Sequence, residues 1–226
     1  MSKVAAIFDL DGTLCSTHIW EGFRKYYIKH EKKKVPSMLA FLITHLPLWL
    51  LGKCKLLNEE KCRAKWAEDL NAIFRGASKG EVLEASHWVA DNHITKSLRS
   101  DIVDILDQHK QKGHIAIIIS AAFSNLLEIV GQKLDVPNVI GTKLEVLNDR
   151  YTGRVIKPVC FGRNKVKLLQ EFLNQNKLEI DLMSSFAYAD SAFDIPLLKL
   201  VGNPVATYPD RNLRQFAEHN GWQILP

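Results

Sequence analysis

The chain has little of what marks secreted, fibrous or low-complexity proteins. Its 226 residues contain only four cysteines, Cys15, Cys54, Cys62 and Cys160, scattered and with no CxxC spacing. Free thiols in a reducing compartment fit this better than a disulfide framework. No internal repeat and no Gly/Ser- or Pro-rich linker is visible. Charge is nearly balanced: the formal net charge of +5 suits an anionic ligand or surface, while the lack of an RNA-binding motif or long basic tail argues against nucleic acid as a partner. Met1-Ser-Lys3 leads straight into an apolar strand, so a secretory signal is not expected and the chain is read as cytoplasmic. The longest apolar stretch, Met38 to Leu51, is short for a membrane span and is broken by His45 and Pro47.

What is present is enough apolar sequence, 46% of residues, for one sizeable core, or for a core with a smaller inserted domain. The stretch around which the chain is organised is Val4 to Leu14. Val4 to Phe8 is a short apolar run that reads as a buried strand. It ends on Asp9 and Asp11, which a strand's period of two points the same way, while Leu10 returns to the core. Gly12 follows where the chain must turn. Two carboxylates this close repel and shift each other's pKa, and a bound cation is the simplest way to keep both ionised. On these residues alone, a solvated strand end at a turn explains them equally well.

Downstream, Ile19, Phe23, Tyr26 and Tyr27 share a helical face. The Met38–Leu51 stretch, flanked by Lys32 to Lys34 and by Lys53 and Lys55, has two readings. The favoured one is a buried helix in a small bundle. The sharper one is an interfacial surface that makes peripheral contact with the inner membrane face. Asn58 to Arg75 predicts one amphipathic helix through Cys62, Trp66, Leu70 and Phe74. Ser78 and Glu81 form a capping-box pair for a helix carrying Val82, Leu83 and Val89. A further helix is expected from Thr95 to Lys112, a strand from His114 to Ile119 with Ser120 at its end, and a helix through Leu126, Leu127 and Val130. Val139–Ile140 reads as a short strand, and Lys143 to Ile156 as a hairpin turning at Asn148-Asp-Arg150. A helix from Arg163 to Asn176, strands at Phe186–Ala189 and Asn203–Ala206, and a helix capped by Asp210 complete the chain. Strands alternating with helices predict an α/β fold with a Rossmann-like parallel sheet. Residues 16–92 interrupt it as an all-helical insertion, leaving 1–15 and 93–226 as the core. In such sheets ligands bind at the carboxyl ends of the strands, where the polar residues recur: Asp9 and Asp11, Ser120, and Asp190 with Asp194.

In order along the chain, Asp9-Leu-Asp-Gly-Thr13, Ser120, Lys165 in Gly162-Arg-Asn-Lys-Val166, and Ala189-Asp-Ser-Ala-Phe-Asp-Ile-Pro-Leu-Leu198 resemble the four motifs of the haloacid dehalogenase-like (HAD) hydrolases. The helical insertion and the hairpin resemble the phosphoserine phosphatase-like branch, subfamily IB, whose cap selects the substrate. The resemblance implies a Mg²⁺-dependent phosphomonoesterase: Asp9 as nucleophile, Asp11 as acid and base, and Mg²⁺ on Asp9, the Asp11 backbone carbonyl and Asp190. Ser120, Ala121 and Lys165 would bind phosphate, with Gly12, Thr13 and Asp194 in support. Two departures stand out. Ala189 replaces the usual Gly, which would crowd the metal site. His18 stands where phosphoserine phosphatase has the Glu that holds the substrate's amino group, leaving His18 and Arg63 as the cap's substrate residues. The expected substrate is a small phosphorylated metabolite. The alternatives are a lipid-like phosphomonoester at a membrane surface and a silent phospho-ligand binding module. The sequence sets no oligomeric state.

Overall fold

The computed structural model describes residues 3–31, 33, 35–54 and 56–226, without the side chain of Ser37. Lys32, Lys34 and Lys55 of the lysine flanks lie outside the described residues.

A seven-stranded sheet forms the centre. Its strands are β1 (Ala5–Phe8), β2 (Ile115–Phe123), β3 (Asn138–Leu147), β4 (Arg150–Ile156), β5 (Phe186–Ala189), β6 (Asn203–Thr207) and β7 (Gln223–Leu225). Their order is β4-β3-β2-β1-β5-β6-β7, parallel except for the antiparallel β3–β4 pair. Apolar runs without alternation are what a sheet covered on both faces requires. Phe8, Ile118 and Tyr188 belong to one apolar layer, and Ile7, Ile117, Ile119 and Ala187 to the other. The sheet is covered by α5 (Ser100–Gln111), α6 (Ser124–Lys133), α7 (Arg163–Gln175), the short α8 (Ile195–Leu198) and α9 (Arg211–Asn220). β1 lies centrally between β2 and β5, the place where the chain's progress across the sheet reverses and where α/β folds open a crevice.

Between β1 and α5 the described residues are helical: α1 (Ile19–His30), α2 (Val35–Lys53), α3 (Glu59–Asp69) continued by a 3₁₀ turn at Leu70–Phe74, and α4 (Lys79–Val89). The two crossings between this block and the sheet run side by side. Arg99 N–H donates to the Leu14 carbonyl at 2.9 Å, and Ser16 N–H donates to that of Ser97 at 2.8 Å. The Ser78–Glu81 capping box forms, and the Asn148-Asp149 turn takes positive φ at both residues, as a two-residue hairpin requires.

Several expectations need correction. The helix expected from Thr95 starts at Ser100, because Leu98 and Arg99 are extended to pair with Cys15 and Leu14. The amphipathic helix over Asn58–Arg75 tightens to 3₁₀ after Asp69 and buries nothing until Asn71. Val139–Ile140 and the first hairpin arm are one strand, β3, because pairing with β2 runs directly into pairing with β4. Ser120 lies inside β2, three residues before its end, at a register shift against β3. The short β7 was not anticipated. The largest correction is α2. It is apolar on all sides and touches little beyond α3, so Leu39, Ile43 and Leu50 are 54%, 73% and 48% exposed rather than buried in a bundle. No helix among the described residues is long and apolar enough to cross a membrane.

Candidate active site

Asp9 immediately follows β1, and its N–H still donates to the Tyr188 carbonyl of β5 at 3.0 Å. The side chain is thus held at the carboxyl edge of the sheet, almost fully buried. Lys165, in the first turn of α7, is buried too, and its Nζ donates to Asp9 Oδ1 at 2.8 Å and to Asp194 Oδ2 at 2.9 Å. A cation at a helix start gains nothing from the helix dipole. Burial pulls the Lys165 pKa down, but Asp194 and Asp9 more than offset it, so the ammonium stays charged. Gly162 at φ 54° makes the turn into α7.

Asp190 follows β5 and is partly buried. Its carboxylate oxygen, one from Asp9 and one from Asp194 lie within 4.8 Å of one another. Burial raises the Asp190 pKa, and Asp9 and Asp194 raise it further. Burial likewise raises that of Asp9, against the lowering by Lys165. One lysine therefore does not neutralise three acids, and the surplus of hard oxygen donors fits a hard divalent cation. Gly12 is shaped to this cluster. It has φ 82°, and a Cβ there would collide with the Asp190 carboxylate. Ala189 is fully buried in the apolar layer that also holds Ile7 and Ala187.

The Asp11 carboxylate stands apart from this cluster and accepts the Ile19 N–H at 3.3 and 3.4 Å. Burial first, and the Asp9 charge second, push its carboxyl up to about 8. Ser120 is buried on the strand beside β1, two residues past the Phe8–Ile118 pair, and its Oγ accepts the Ala122 N–H at 3.2 Å. Thr13 Oγ1 is buried with no hydrogen-bond partner among the described residues.

Thr142 is a residue that sequence reasoning missed. Buried in β3, its hydroxyl donates to the Ala121 carbonyl at 2.9 Å and accepts the Cys160 N–H at 3.1 Å. It thereby ties the end of β2 to the segment leading to Lys165. Its signal in the sequence is slight: a threonine beside Lys143 in a strand that also carries Asn138 and Glu145.

Asp11 and Ala121 open onto a cavity of about 490 Å³ between the sheet edge and α1, α2 and α3. Its walls are mostly aromatic and aliphatic, among them Phe23, Leu42, Trp49, Trp66, Phe74 and Phe123. His18 and Arg63 line it as well. His18 precedes α1 without a side-chain capping bond. Arg63 is 3.6 Å from Glu59 and lies over the Trp49 and Phe193 rings at 5.9 and 5.6 Å, joining α2 and α3 to the loop between Asp190 and Asp194.

Known proteins resemble this chain in sequence and in overall fold. The protein of Mycobacterium tuberculosis named phosphoserine phosphatase SerB1 is 28% identical over 225 residues, 97% of this chain and 70% of its own length. A histidinol-phosphatase of Neisseria meningitidis is 27% identical over 234 residues, covering 99% of this chain and 98% of its own. The solved structure of a protein of unknown function from Bordetella pertussis matches with a TM-score of 0.85 at 25% identity, covering 100% of this chain and 99% of that one. The model of the haloacid dehalogenase-like hydrolases matches residues 6–199, and the chain belongs to that family.

Proposed function

We propose that the protein is a Mg²⁺-dependent phosphomonoester phosphatase working through an aspartyl-phosphate. The carrying observation is the Asp9 carboxylate, buried at the sheet edge with Lys165 at 2.8 Å and two further acids within 4.8 Å. A carboxylate attacking a phosphate dianion needs positive charge around it, and this cluster has one fixed cation and the donors for another. The names of the relatives above, phosphoserine phosphatase and histidinol-phosphatase, support the same class.

In this reading Asp9 attacks phosphorus; a P–O bond to Asp9 forms as the bond to the leaving alkoxide breaks. Asp11, whose carboxyl is pushed up to about 8 and so holds a proton near neutral pH, delivers that proton to the alkoxide. It then takes one from the water that attacks the same phosphorus, releasing phosphate and restoring Asp9. Ser120, Lys165 and the N–H groups near Ala121 hold the phosphoryl oxygens, and Asp194 fixes Lys165. Asp9, the Asp11 backbone carbonyl and Asp190 would hold Mg²⁺, which neutralises the acids and the phosphate. Residues 1–15 and 93–226 act as the catalytic core and 16–92 as the cap that selects the substrate.

Asp9→Asn keeps the shape and removes the nucleophile. Phosphate release from a generic aryl phosphate should fall at least about a thousandfold with the melting temperature held. The ³²P label should also disappear from the acid-quenched protein. Turnover near that of the unaltered protein would end this assignment.

A further inference from the structure

The cavity beside Asp11 is a poor place for an amino-acid phosphate. Among the described residues its one acid is Asp11, already committed to the chemistry, so an ammonium group would find no other carboxylate in the chamber to receive it. Its size falls in the usual range for organic ligands, about 300–1,000 Å³. Its walls reward apolar carbon instead.

The cavity is continuous with an unusual surface. Leu46 both lines it and is 47% exposed. Leu39, Ile43, Leu46 and Leu50 recur at helical spacing and form one exposed ridge on α2. Among the described residues, eight of the thirteen exposed large apolar side chains, Leu39 to Leu57, fall in this helix and the loop after it, so the exposed apolar surface is concentrated on the element that forms one wall of the cavity. Charge is arranged to match: residues 32–58 contain five lysines and no Asp or Glu. Lys33 and Lys53 are exposed at the two ends of α2, and Lys53 lies 4.6 Å from the Trp49 ring. An apolar ridge bounded by cations complements an anionic bilayer, where apolar side chains enter the acyl boundary and lysines meet headgroups.

We infer that the substrate is an amphiphilic phosphomonoester drawn from an anionic lipid surface: its apolar chain lies in the cavity, and the α2 ridge seats the cavity's mouth on the bilayer. This rests on the phosphatase reading above and names its substrate class.

The test uses the full chain with Mg²⁺. First, kcat/KM is measured for straight-chain alkyl phosphates from two to ten carbons, all below their micelle-forming concentrations. It should rise about fourfold per methylene until the cavity is filled, the factor that burial of one methylene implies. Second, co-sedimentation is measured with phosphatidylglycerol/phosphatidylcholine vesicles and with phosphatidylcholine alone. Binding is expected to the first, weakened by salt. Ile43→Asp with Leu50→Asp, both outside the cavity, should abolish it. That pair should leave turnover of ethyl phosphate and the melting temperature unchanged, while turnover of a long-chain phosphate in vesicles falls at least tenfold. A flat chain-length profile, with phosphoserine or histidinol phosphate preferred, overturns the inference and leaves a soluble-metabolite phosphatase. Unaltered protein that stays in the supernatant, or that dimerises through the ridge and is made monomeric by Ile43→Asp, overturns the bilayer assignment. Failure to release phosphate from any ester, alkyl or aryl, would count against the phosphatase reading itself.

Discussion

Gly12 shows how tightly single positions are specified. Its φ of 82° is open to glycine and strained for other residues, and a side chain would also strike the Asp190 carboxylate. A small shift would absorb either effect alone; together they force the acid cluster to move. Gly12→Ala should therefore lower kcat by about a hundredfold, the scale on which a displacement near 1 Å acts in a preorganised site. It should weaken Mg²⁺ binding as well, which isothermal titration would read without relying on turnover. Normal kcat and Mg²⁺ affinity in that variant would mean that Asp190 has no fixed role.

At the scale of elements, the joint between the helical block and the sheet is an aromatic knot. Phe23 of α1, Phe74 of the 3₁₀ turn and Phe123 at the end of β2 meet with ring centroids 4.9 to 5.5 Å apart. Phe74 is almost fully buried, so Phe74→Ala should cost about 3–5 kcal/mol in urea unfolding. Ile43→Asp on the exposed face of α2 should stay within about 0.5 kcal/mol of the unaltered protein. Equal losses at the two positions would show that α2 is covered in solution. This contrast also marks what the sequence could tell. The strands other than β7, the capping box and the hairpin turn follow from spacing, because strand period, cap chemistry and turn chemistry are local, whereas Asp9, Ser120, Lys165 and Asp190 are picked out as a set by their resemblance to the four family motifs. The exposure of α2 does not. Apolarity says that a residue gains by being covered, and nothing in the residues 38–51 says whether the fold supplies the cover. The role of Thr142 was hidden for a related reason: both its partners lie some twenty residues away, on other elements. The break before Ser100 is set by Leu14 and Cys15, far earlier in the chain.

For the whole molecule, the acid cluster together with the neighbouring Asp11 links folding to pH and metal. Burial raises the pKa of Asp9, Asp11 and Asp190, in the case of Asp11 to about 8, whereas an Asp in the unfolded chain titrates near 4. Without metal, the folded protein thus holds more protons than the unfolded chain across that window. Its stability must fall as pH rises. His109 acts the other way. Burial, with His114 and Lys112 nearby, pushes it down to about 4, so its contribution is full above about pH 6.5 and is lost as pH falls below that. Between pH 6.5 and 8.5 the histidine term is level and the carboxylates dominate. In chelator, the melting temperature should drop across this range. Excess Mg²⁺ should restore it, and more so at pH 8.5 than at 6.5, because the metal binds the ionised carboxylates and competes with their protons. Thermal scans in chelator and in Mg²⁺ at the two pH values measure this directly. A melting temperature in chelator that holds or rises with pH, with the same Mg²⁺ increment at both, would mean that the three acids are already neutralised within the protein. The cluster would then have no need of a cation.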